Sequence, residues 1–353
     1  MRLVTPFLKS VVYPSLARTG YLRRQANSGL AVVTYHGVTP RGYESLDASL
    51  DGNLITAETL RQQIRLLKAR YSLVDPADVL AWSEGKREFP PKAVLLTCDD
   101  GLLNHFTDML PVLLQENVKC LFFVTGASAG QERLALWYEE LFLIFMNASG
   151  GPFEVSCEGI TIRGDMGSRE QRQSLWWASV KNLSQAAESK RQSFLESARQ
   201  RFRVQTERSD PDSPRGRRFG LLTSEEVRGL AAAGMTIGAH TMSHPMLSQL
   251  PPELAWDEIS ECRKTLQSVT QSDVWAFAYP FGDAQSVNPK VLAMPGDVGY
   301  RLAFLNYGGG LGVDPAPFAF PRIHVTATMK VAEFEAHVSG FYARLQKRVG
   351  RTA

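Results

Sequence analysis

The sequence predicts an α/β fold, a parallel β-sheet or barrel surrounded by helices, on two observations. Short apolar, β-prone segments alternate with longer segments that carry apolar residues at helical spacing, which is the pattern of a parallel sheet. Several apolar segments end in glycine and polar residues, as strands do when they bring side chains to the reactive edge of such a sheet. The 353 residues, 44% of them hydrophobic, suffice for one large domain or two ordinary ones.

Composition narrows the possible functions. The formal net charge of +3 is small for this length, so a surface that binds duplex nucleic acid is not indicated. The four cysteines are scattered without a C-x-x-C pair, which argues against a cysteine zinc site and a disulfide framework and is compatible with a reducing compartment. They are Cys98, Cys120, Cys157 and Cys262.

Residues 1–28 are interpreted as a basic N-terminal arm. They contain neither the apolar run of a secretory signal nor that of a spanning helix, so we expect a cytoplasmic protein. The arm is either a solvated leader or a peripheral contact with anionic lipid or a partner. Its basic residues are Arg2, Lys9, Arg18, Arg23 and Arg24.

Strands and helices then alternate from residue 29 to residue 125. In order, the predicted elements are a strand from residue 30, a helix over 56–68 capped by Thr56, a strand near 71–73, a helix over 76–84, a strand over 93–98, a helix over 104–115 and a strand over 119–125.

Residues 130–220 interrupt this order and are interpreted as an insertion or lid carried by a single domain over residues 29–348. The predicted elements there are a helix over 134–146, a β-hairpin over 153–163, a polar helical tract over 171–202 and a loop over 209–218. Trp137, Trp176 and Trp177 are candidates for stacking on sugars, and core packing explains each of them as well.

The alternating order resumes after the insertion. The predicted elements are a capped helix over 223–233, a strand from residue 235 to His240, a strand over 275–278, a last strand that ends at 320–324 and a C-terminal helix over 331–348 that packs on the body.

Polar residues that follow these strands are the candidate site. Asp99 and Asp100 leave their strand side by side and point in opposite directions, so one can bind a metal while the other accepts a proton. His36 follows the first strand and faces the same edge. An ordinary Asp-Gly turn and a structural histidine are the alternatives.

His240 and His244 extend this site to a three-ligand metal centre. If their segment is helical they lie on one face, and two imidazoles with a carboxylate leave a zinc position open for water. The segment after residue 278 predicts either a rigid proline turn or an apolar wall with free N–H groups for an acetyl methyl and an oxyanion. Its residues are Tyr279, Pro280, Phe281 and Gly282.

Together these motifs resemble those of a known enzyme family. TCDDG (97–101), HTMSH (240–244) and FAYPFG (277–282) are similar to the first three motifs of the polysaccharide deacetylases of carbohydrate esterase family four, over most of residues 29–326. TYHG (34–37) resembles a motif that lies on the N-terminal side in the circularly permuted branch typified by poly-N-acetylglucosamine deacetylases.

The resemblance implies a distorted (β/α) barrel with fewer than eight strands that removes N-acetyl groups from N-acetylated sugars, mostly polymers of N-acetylglucosamine. It implies that Asp99 is the general base and His36 the general acid. It also implies a divalent metal, usually zinc, bound by Asp100, His240 and His244. Analogy with the family further suggests exopolysaccharide or glycoconjugate assembly at the inner face of the membrane.

One position departs from the family pattern. Many members have an arginine in the third motif that hydrogen-bonds the base, whereas this sequence has Ala278 there. Arg322, which we also count among the substrate-binding candidates, can grip a carboxylate bidentately and is a candidate to replace it. Two other functions stay open: hydrolysis of another amide or ester on a glycolipid or small molecule, and non-catalytic glycan binding.

Overall fold

A parallel β-barrel forms the centre of the protein. The structure is a computed structural model that describes residues 4–25, 29–131, 134–203, 210–312 and 316–348. Its strands are β1 (Leu30–Tyr35), β2 (Ser72–Leu73), β3 (Ala93–Cys98), β4 (Leu121–Val124), β5 (Pro152–Cys157), β6 (Ile160–Asp165), β7 (Thr236–Ala239), β8 (Ala276–Ala278), β9 (Leu302–Gly308) and β10 (Phe320–His324).

Seven strands close the barrel in the order β1-β10-β9-β8-β7-β4-β3, because β1 pairs in parallel with both β10 and β3. Strand β2 extends the sheet beside the start of β3 without taking part in the closure. Strands β5 and β6 form a separate antiparallel hairpin. The closed barrel confirms the prediction of an α/β barrel with fewer than eight strands.

Helices surround the barrel. They are α1 (Val4–Phe7), α2 (Tyr13–Arg18), α3 (Tyr21–Gln25), α4 (Ala48–Asp51), α5 (Ala57–Arg70), α6 (Pro76–Ser83), α7 (Leu110–Gln115), α8 (Trp137–Asn147), α9 (Arg169–Leu183), α10 (Glu188–Phe202), α11 (Pro214–Phe219), α12 (Ser224–Ala232), α13 (Pro252–Thr270), α14 (Pro289–Val298), α15 (Val331–Val338) and α16 (Phe341–Arg348). None of the helices in the described ranges is both long and apolar enough to cross a bilayer.

Both faces of the barrel strands are buried. On β3, Leu95 belongs to a cluster with the inward-facing residues of the other strands, and Leu96 packs in the layer between strands and helices. Because neither face meets water, the strands are continuous apolar runs in the sequence rather than alternating ones. A fully buried leucine of this kind contributes about 1.5–3 kcal/mol to folding.

The N-terminal helices pack on the body instead of extending into solvent. Tyr13 and Leu22 are 2% and 0% exposed and pack against Ala336 of α15, and the ring of Phe341 lies edge-on to Tyr13. The interpretation of this segment as a plain solvated leader is therefore wrong for the residues that the structure describes.

Several helices differ from their predicted bounds. Residues His105–Met109 form a π-helical turn ahead of α7, and the tract predicted over 171–202 is two helices, α9 and α10. Part of the loop predicted over 209–218 is helix α11. The C-terminal helix breaks at Gly340, whose φ of 71° and close approach to the Leu311 carbonyl require glycine.

Residues between β4 and β7 form a compact layer with its own apolar cluster. Helices α8, α9 and α10 pack with the β5–β6 hairpin around Phe142, Phe145 and Phe153. Three elements between β7 and β10 were not predicted from the sequence: α13, α14 and β9.

Candidate active site

The end of β3 places the two aspartates. The Asp99 N–H donates to the carbonyl of Tyr35 at 2.9 Å, so β3 stays paired with β1 up to this residue. Asp100 then adopts a left-handed backbone with φ of 86°, which costs of order 1–3 kcal/mol. Asp99 and Asp100 are 1% and 6% exposed. The strained turn therefore holds both residues in a buried position at the C-terminal end of β3.

Asp100, His240 and His244 converge on one point. The Nε2 atoms of His240 and His244 lie 3.5 Å and 3.3 Å from Oδ1 of Asp100. One potential ligand atom from each residue falls within 4.8 Å of the others, and all three residues are buried. Two imidazoles and a carboxylate are a donor set that suits a divalent transition metal such as zinc.

Hydrogen bonds orient the two imidazoles. Nδ1 of His240 donates to the carbonyl of Ala278 at 2.7 Å, which directs Nε2 of the same ring at Asp100. The segment after β7 is irregular rather than helical, with φ of 62° at Thr241 and 56° at His244. The two histidines therefore do not share a helical face, which was the condition of our prediction. Residues in the left-handed conformation bring them together instead.

Helix α8 also fixes the loop that carries His244. Nε1 of Trp137 donates to the His244 carbonyl at 3.0 Å, and the Thr241 hydroxyl accepts the His244 N–H at 3.0 Å. The rings of Tyr138 and Phe281 pack at 5.2 Å and 5.1 Å from the His244 ring. His244 lies on a loop, and helix α8 of the layer between β4 and β7 holds it in position.

Arg322 binds Asp99 through both carboxylate oxygens. Its Nη1 donates to Oδ1 at 2.7 Å and its Nη2 to Oδ2 at 2.5 Å, while Nη1 also donates to the Thr97 hydroxyl and Nε to the Leu305 carbonyl. Arg322 is fully buried. Its guanidinium therefore supports Asp99 and is not free to bind a substrate, which corrects its place among the substrate-binding candidates.

The pKa values of both aspartates are lowered. Burial alone favours the neutral carboxyl, but the Arg322 guanidinium, with His240 and His36, outweighs it and lowers the pKa of Asp99. Burial is likewise outweighed at Asp100, where hydrogen bonds from His240 and His244 hold the pKa well below its usual value. Both groups are therefore carboxylates at neutral pH, as a proton acceptor and a metal ligand must be.

His36 lines the same cleft as the carboxylates and lies next to His324. Its ring is 4.8 Å from that of His324, and its buried Nδ1 has no hydrogen-bond partner among the described residues. His324 bonds the side-chain oxygen of Asn53 through Nε2 at 2.9 Å. Burial and the neighbouring His36 lower the pKa of His324 to about 3, so His324 is neutral beside His36.

A cleft of about 230 Å³ joins these groups. Asp99, Asp100, His36, His240 and His244 all line it, as do Tyr138, Trp176 and Trp177 from the layer between β4 and β7.

Two of the tryptophans pack in the core of that layer, as one of our two interpretations expected. Trp137 and Trp176 are 3% and 2% exposed. Trp177, by contrast, is 51% exposed at the mouth of the cleft and lies 4.7 Å from the Trp176 ring.

The segment after β8 contributes less than the sequence indicated. Tyr279 and Phe281 line the cleft, whereas Pro280 and Gly282 are not among its described lining residues. The N–H of Tyr279 donates to Phe304 and that of Gly282 to Pro280, so neither is free. Within the described structure only the Phe281 N–H of this segment has no acceptor.

A buried arginine joins three helices at the wall of the cleft. Arg218, 1% exposed, donates to Asp51 at 2.6 Å and to Glu139 at 2.8 Å. Burial opposes the charge, but the two carboxylates raise the pKa of Arg218. This cluster could not be inferred from the sequence, because Arg218 lies in a basic run that is typical of a solvated loop.

A family model described as polysaccharide deacetylase matches residues 86–303, which is more than half of the chain. The Bacillus subtilis (strain 168) protein YxkH, which is named as a polysaccharide deacetylase, is 25% identical over 117 residues. These residues are 33% of this chain and 41% of YxkH, so the match spans less than half of that relative.

Solved structures share the fold. The deacetylase PplD of Streptococcus pyogenes, solved in complex with acetate, superposes with a TM-score of 0.54 at 16% identity, covering 88% of this chain and 97% of PplD. IcaB from Ammonifex degensii gives a TM-score of 0.54 at 17% identity, covering 88% of this chain and 96% of IcaB. At this identity the similarity shows the barrel architecture.

Proposed function

The chain belongs to the polysaccharide deacetylase family of carbohydrate N-deacetylases, and we propose that it removes N-acetyl groups from the sugars of a polysaccharide or glycoconjugate with the help of a divalent metal. The observation that carries this proposal is the pairing of two unlike carboxylates in one cleft. Asp99 is held by an arginine, and Asp100 faces two imidazoles. A glycan-binding protein without catalysis has no chemical need for this arrangement.

Asp100, His240 and His244 are the residues that would hold the metal, for which we propose zinc. Their convergence and the orientation of the His240 ring by the Ala278 carbonyl support this assignment. When bound, a divalent cation supplies Lewis acidity to the acetyl carbonyl, which is worth several kcal/mol of transition-state stabilisation.

Asp99 and His36 are proposed to move the protons. Asp99, ionised and fixed by Arg322, accepts a proton from the attacking water, and its rigid bidentate contact limits the motion of the carboxylate. His36 donates a proton to the departing sugar nitrogen, for which its unpartnered, buried Nδ1 leaves the ring free of competing hydrogen bonds. A placed proton donor or acceptor typically contributes ~10²–10⁴-fold to the rate.

Phe281 is proposed to complete the acetyl site. Its free backbone N–H can donate to the oxyanion that develops on the acetyl oxygen, and its ring packs beside His244 at the cleft wall. Tyr279 lines the same cleft, but its hydroxyl donates to the Phe318 carbonyl at 2.9 Å, so we assign it a supporting rather than a polar binding role.

We infer that N-acetylglucosamine is the substrate sugar and that the reaction serves exopolysaccharide or glycoconjugate assembly. Support for a sugar substrate comes from Trp177, which lines the cleft and is 51% exposed. An exposed tryptophan can pack on the apolar face of a pyranose ring. This contact would bury indole surface that is otherwise exposed to water.

We further propose that the protein acts in the cytoplasm and binds the inner membrane peripherally through residues 4–25 and α16. These segments lie together and contain no acidic residue. Phe7 and Tyr21 are exposed, and so are Arg23 and Arg24 of α3; exposed apolar and basic side chains together are the combination that binds anionic lipid surfaces.

The proposed function is tested by acetate release. Purified protein with zinc is incubated with N-acetylglucosamine oligomers, and products are identified by mass spectrometry beside an Asp99→Asn variant. We expect loss of acetyl groups with the sugar chain intact, and a rate at least ~10²-fold lower in the variant. Acetate released equally fast by Asp99→Asn would refute the role of Asp99, and release only from other acyl substrates would indicate a different amide or ester.

A further inference from the structure

A charged cluster holds the loop that runs from His240 to His244. Ser243 donates its backbone N–H to Oε2 of Glu258 at 2.8 Å and its hydroxyl to Oε1 of the same carboxylate. The hydroxyl also accepts a hydrogen bond from Nη2 of Arg191. One side chain from α13 and one from α10 therefore meet at the residue that precedes His244.

Arg191 is itself held in place by buried contacts. It is 1% exposed, and its Nη1 donates to the carbonyl of Ala186 at 2.6 Å. Its guanidinium lies over the Trp137 ring, 5.5 Å from the ring centre, and Trp137 in turn donates to the carbonyl of His244. Arg191 therefore supports the loop directly through Ser243 and again through the indole of α8.

The cluster suits positioning better than substrate binding or stability. Arg191 is not among the described residues that line the cleft, so it is not placed to touch a substrate there. Its Nη2 is 3.7 Å from Oε1 of Glu258, and its buried Nε has no hydrogen-bond partner in the described part of the chain. A buried ion pair adds little stability compared with apolar residues of similar size, because both charges lose their water. The distinct contribution of Arg191 is the fixed position of the Ser243 hydroxyl.

The loop depends on such support because its backbone is strained. Thr241 and His244 have left-handed φ angles of 62° and 56°, which residues other than glycine hold only when their surroundings fix them. The loop must also keep the Nε2 atoms of His240 and His244 facing Asp100. Replacing a residue that orients metal ligands typically lowers metal affinity by about 10–100-fold.

We propose that Arg191 is a positioning residue for the metal site, which holds the loop through Ser243 so that both imidazoles stay opposite Asp100. This inference rests on the proposed function and adds to it that the layer between β4 and β7 sets the affinity for the metal. The layer then has two roles, because it also forms one wall of the cleft. Arg191 acts through the loop and contacts neither the metal nor the substrate.

The test measures zinc affinity in the absence of turnover. Metal-stripped Arg191→Met protein is titrated with zinc in competition with a chromophoric chelator, and its dissociation constant is compared with that of the unchanged protein. Arg199→Met is the matched control, because Arg199 also lies on α10 and pairs with Glu140 of α8, with no described contact to the loop. Ser243→Ala removes the hydroxyl that Arg191 contacts, and is measured alone and together with Arg191→Met.

We expect Arg191→Met to weaken zinc binding about ten-fold, which corresponds to about 1.4 kcal/mol, and Arg199→Met to bind zinc as the unchanged protein does. The double variant with Ser243→Ala should lose little more than Arg191→Met alone, because both substitutions break the same contact. Arg191→Lys, which keeps a cationic donor at this position, should restore part of the affinity. A purely structural role would not produce this dependence on Ser243.

An unchanged zinc dissociation constant in a folded Arg191→Met protein would overturn the inference, and so would an equal loss in Arg199→Met. If Arg191→Met does not fold, Ser243→Ala decides, and unchanged zinc binding in that protein would overturn the inference as well. Acetate release is scored separately. If the unchanged protein binds zinc but releases no acetate from any oligomer, the proposed function fails while the zinc comparison stands; if it binds no zinc, both fail.

Discussion

At the scale of single residues, the contact between Arg322 and Asp99 is the most consequential for catalysis. We predict that Arg322→Met lowers kcat by about 10²-fold with little change in KM, because a carboxylate freed from its bidentate partner is no longer held in line with the attacking water. Steady-state kinetics on the N-acetylglucosamine oligomers measures both parameters.

A double-mutant cycle tests whether Arg322 acts through Asp99. Arg322→Met should slow an otherwise intact enzyme strongly but add little to the loss already caused by Asp99→Asn, because the two residues act as one unit. Additive losses in the cycle, or wild-type kcat in Arg322→Met, would show that Arg322 has no role in positioning the base.

Trp177 allows a second residue-scale prediction. Trp177→Ala should raise KM for oligomers about five-fold and leave kcat nearly unchanged, because loss of the stacking surface affects bound substrate and transition state alike. Trp256→Ala is the matched control, since Trp256 is 39% exposed and is not among the cleft residues. Equal effects of the two substitutions would exclude stacking at Trp177.

The residues that sequence alone could identify are those that follow a strand. Asp99, Asp100, His36 and His240 each come directly after an apolar run, so their approach to one edge of the sheet could be inferred. The partner of Asp99 could only be suggested, because Arg322 reaches it from β10 across β1. Which strands become neighbours depends on the closure of the barrel.

At the scale of elements, the site depends on the layer between β4 and β7. The Arg218 cluster joins helix α11 to α4 and α8. We predict that Arg218→Met lowers the free energy of unfolding by about 3–5 kcal/mol, because it leaves Asp51 and Glu139 buried without their cation. Denaturant unfolding monitored by tryptophan fluorescence measures the change.

The adjacent arginine serves as the control for burial. The side chains of Arg217 and its partner Asp108, 3.3 Å apart, are 21% and 10% exposed, so Arg217→Met should cost less than Arg218→Met. Similar losses for the two substitutions would mean that the buried cluster contributes no more than the partly exposed Arg217–Asp108 pair.

Element boundaries were harder to infer than element types. The sequence predicted a single helical tract over 171–202. In the structure α9 ends at Leu183, and a turn of four residues separates it from α10, which begins at Glu188. Nothing local forces this break. Burial of Trp176 on one helix and Phe194 on the other, within one apolar cluster, requires the chain to fold back. Such tertiary packing overrides helix propensity.

At the scale of the whole molecule, the fold class was easier to predict than the contacts between distant parts of the chain. The fold class could be predicted because strand and helix patterns alternate, whereas the domain boundaries at residues 28 and 348 and the limits of the insertion stay predictions. The packing of α2 and α3 on α15 and α16 brings together segments that are far apart in sequence. No local pattern of residues in the sequence predicts such a contact.

We predict that the protein cosediments with vesicles that contain anionic lipid and is released by high salt. The double variant Arg23→Glu/Arg24→Glu should lose binding, because each basic residue near an anionic surface contributes about 1 kcal/mol. Lys181→Glu/Lys190→Glu, exposed on α9 and α10, should bind as the unchanged protein does. Equal loss in both variants would indicate a general charge effect rather than this surface.

The most direct measurement is the rate of acetate release as zinc is titrated into metal-stripped protein. If Asp100, His240 and His244 form the single metal site of the reaction, the rate rises in proportion to bound zinc, reaches its maximum near one metal per chain, and stays near zero in a His244→Ala protein at the same zinc concentration. Full activity in the metal-stripped protein, or an equal gain on adding zinc to His244→Ala, would contradict this metal site.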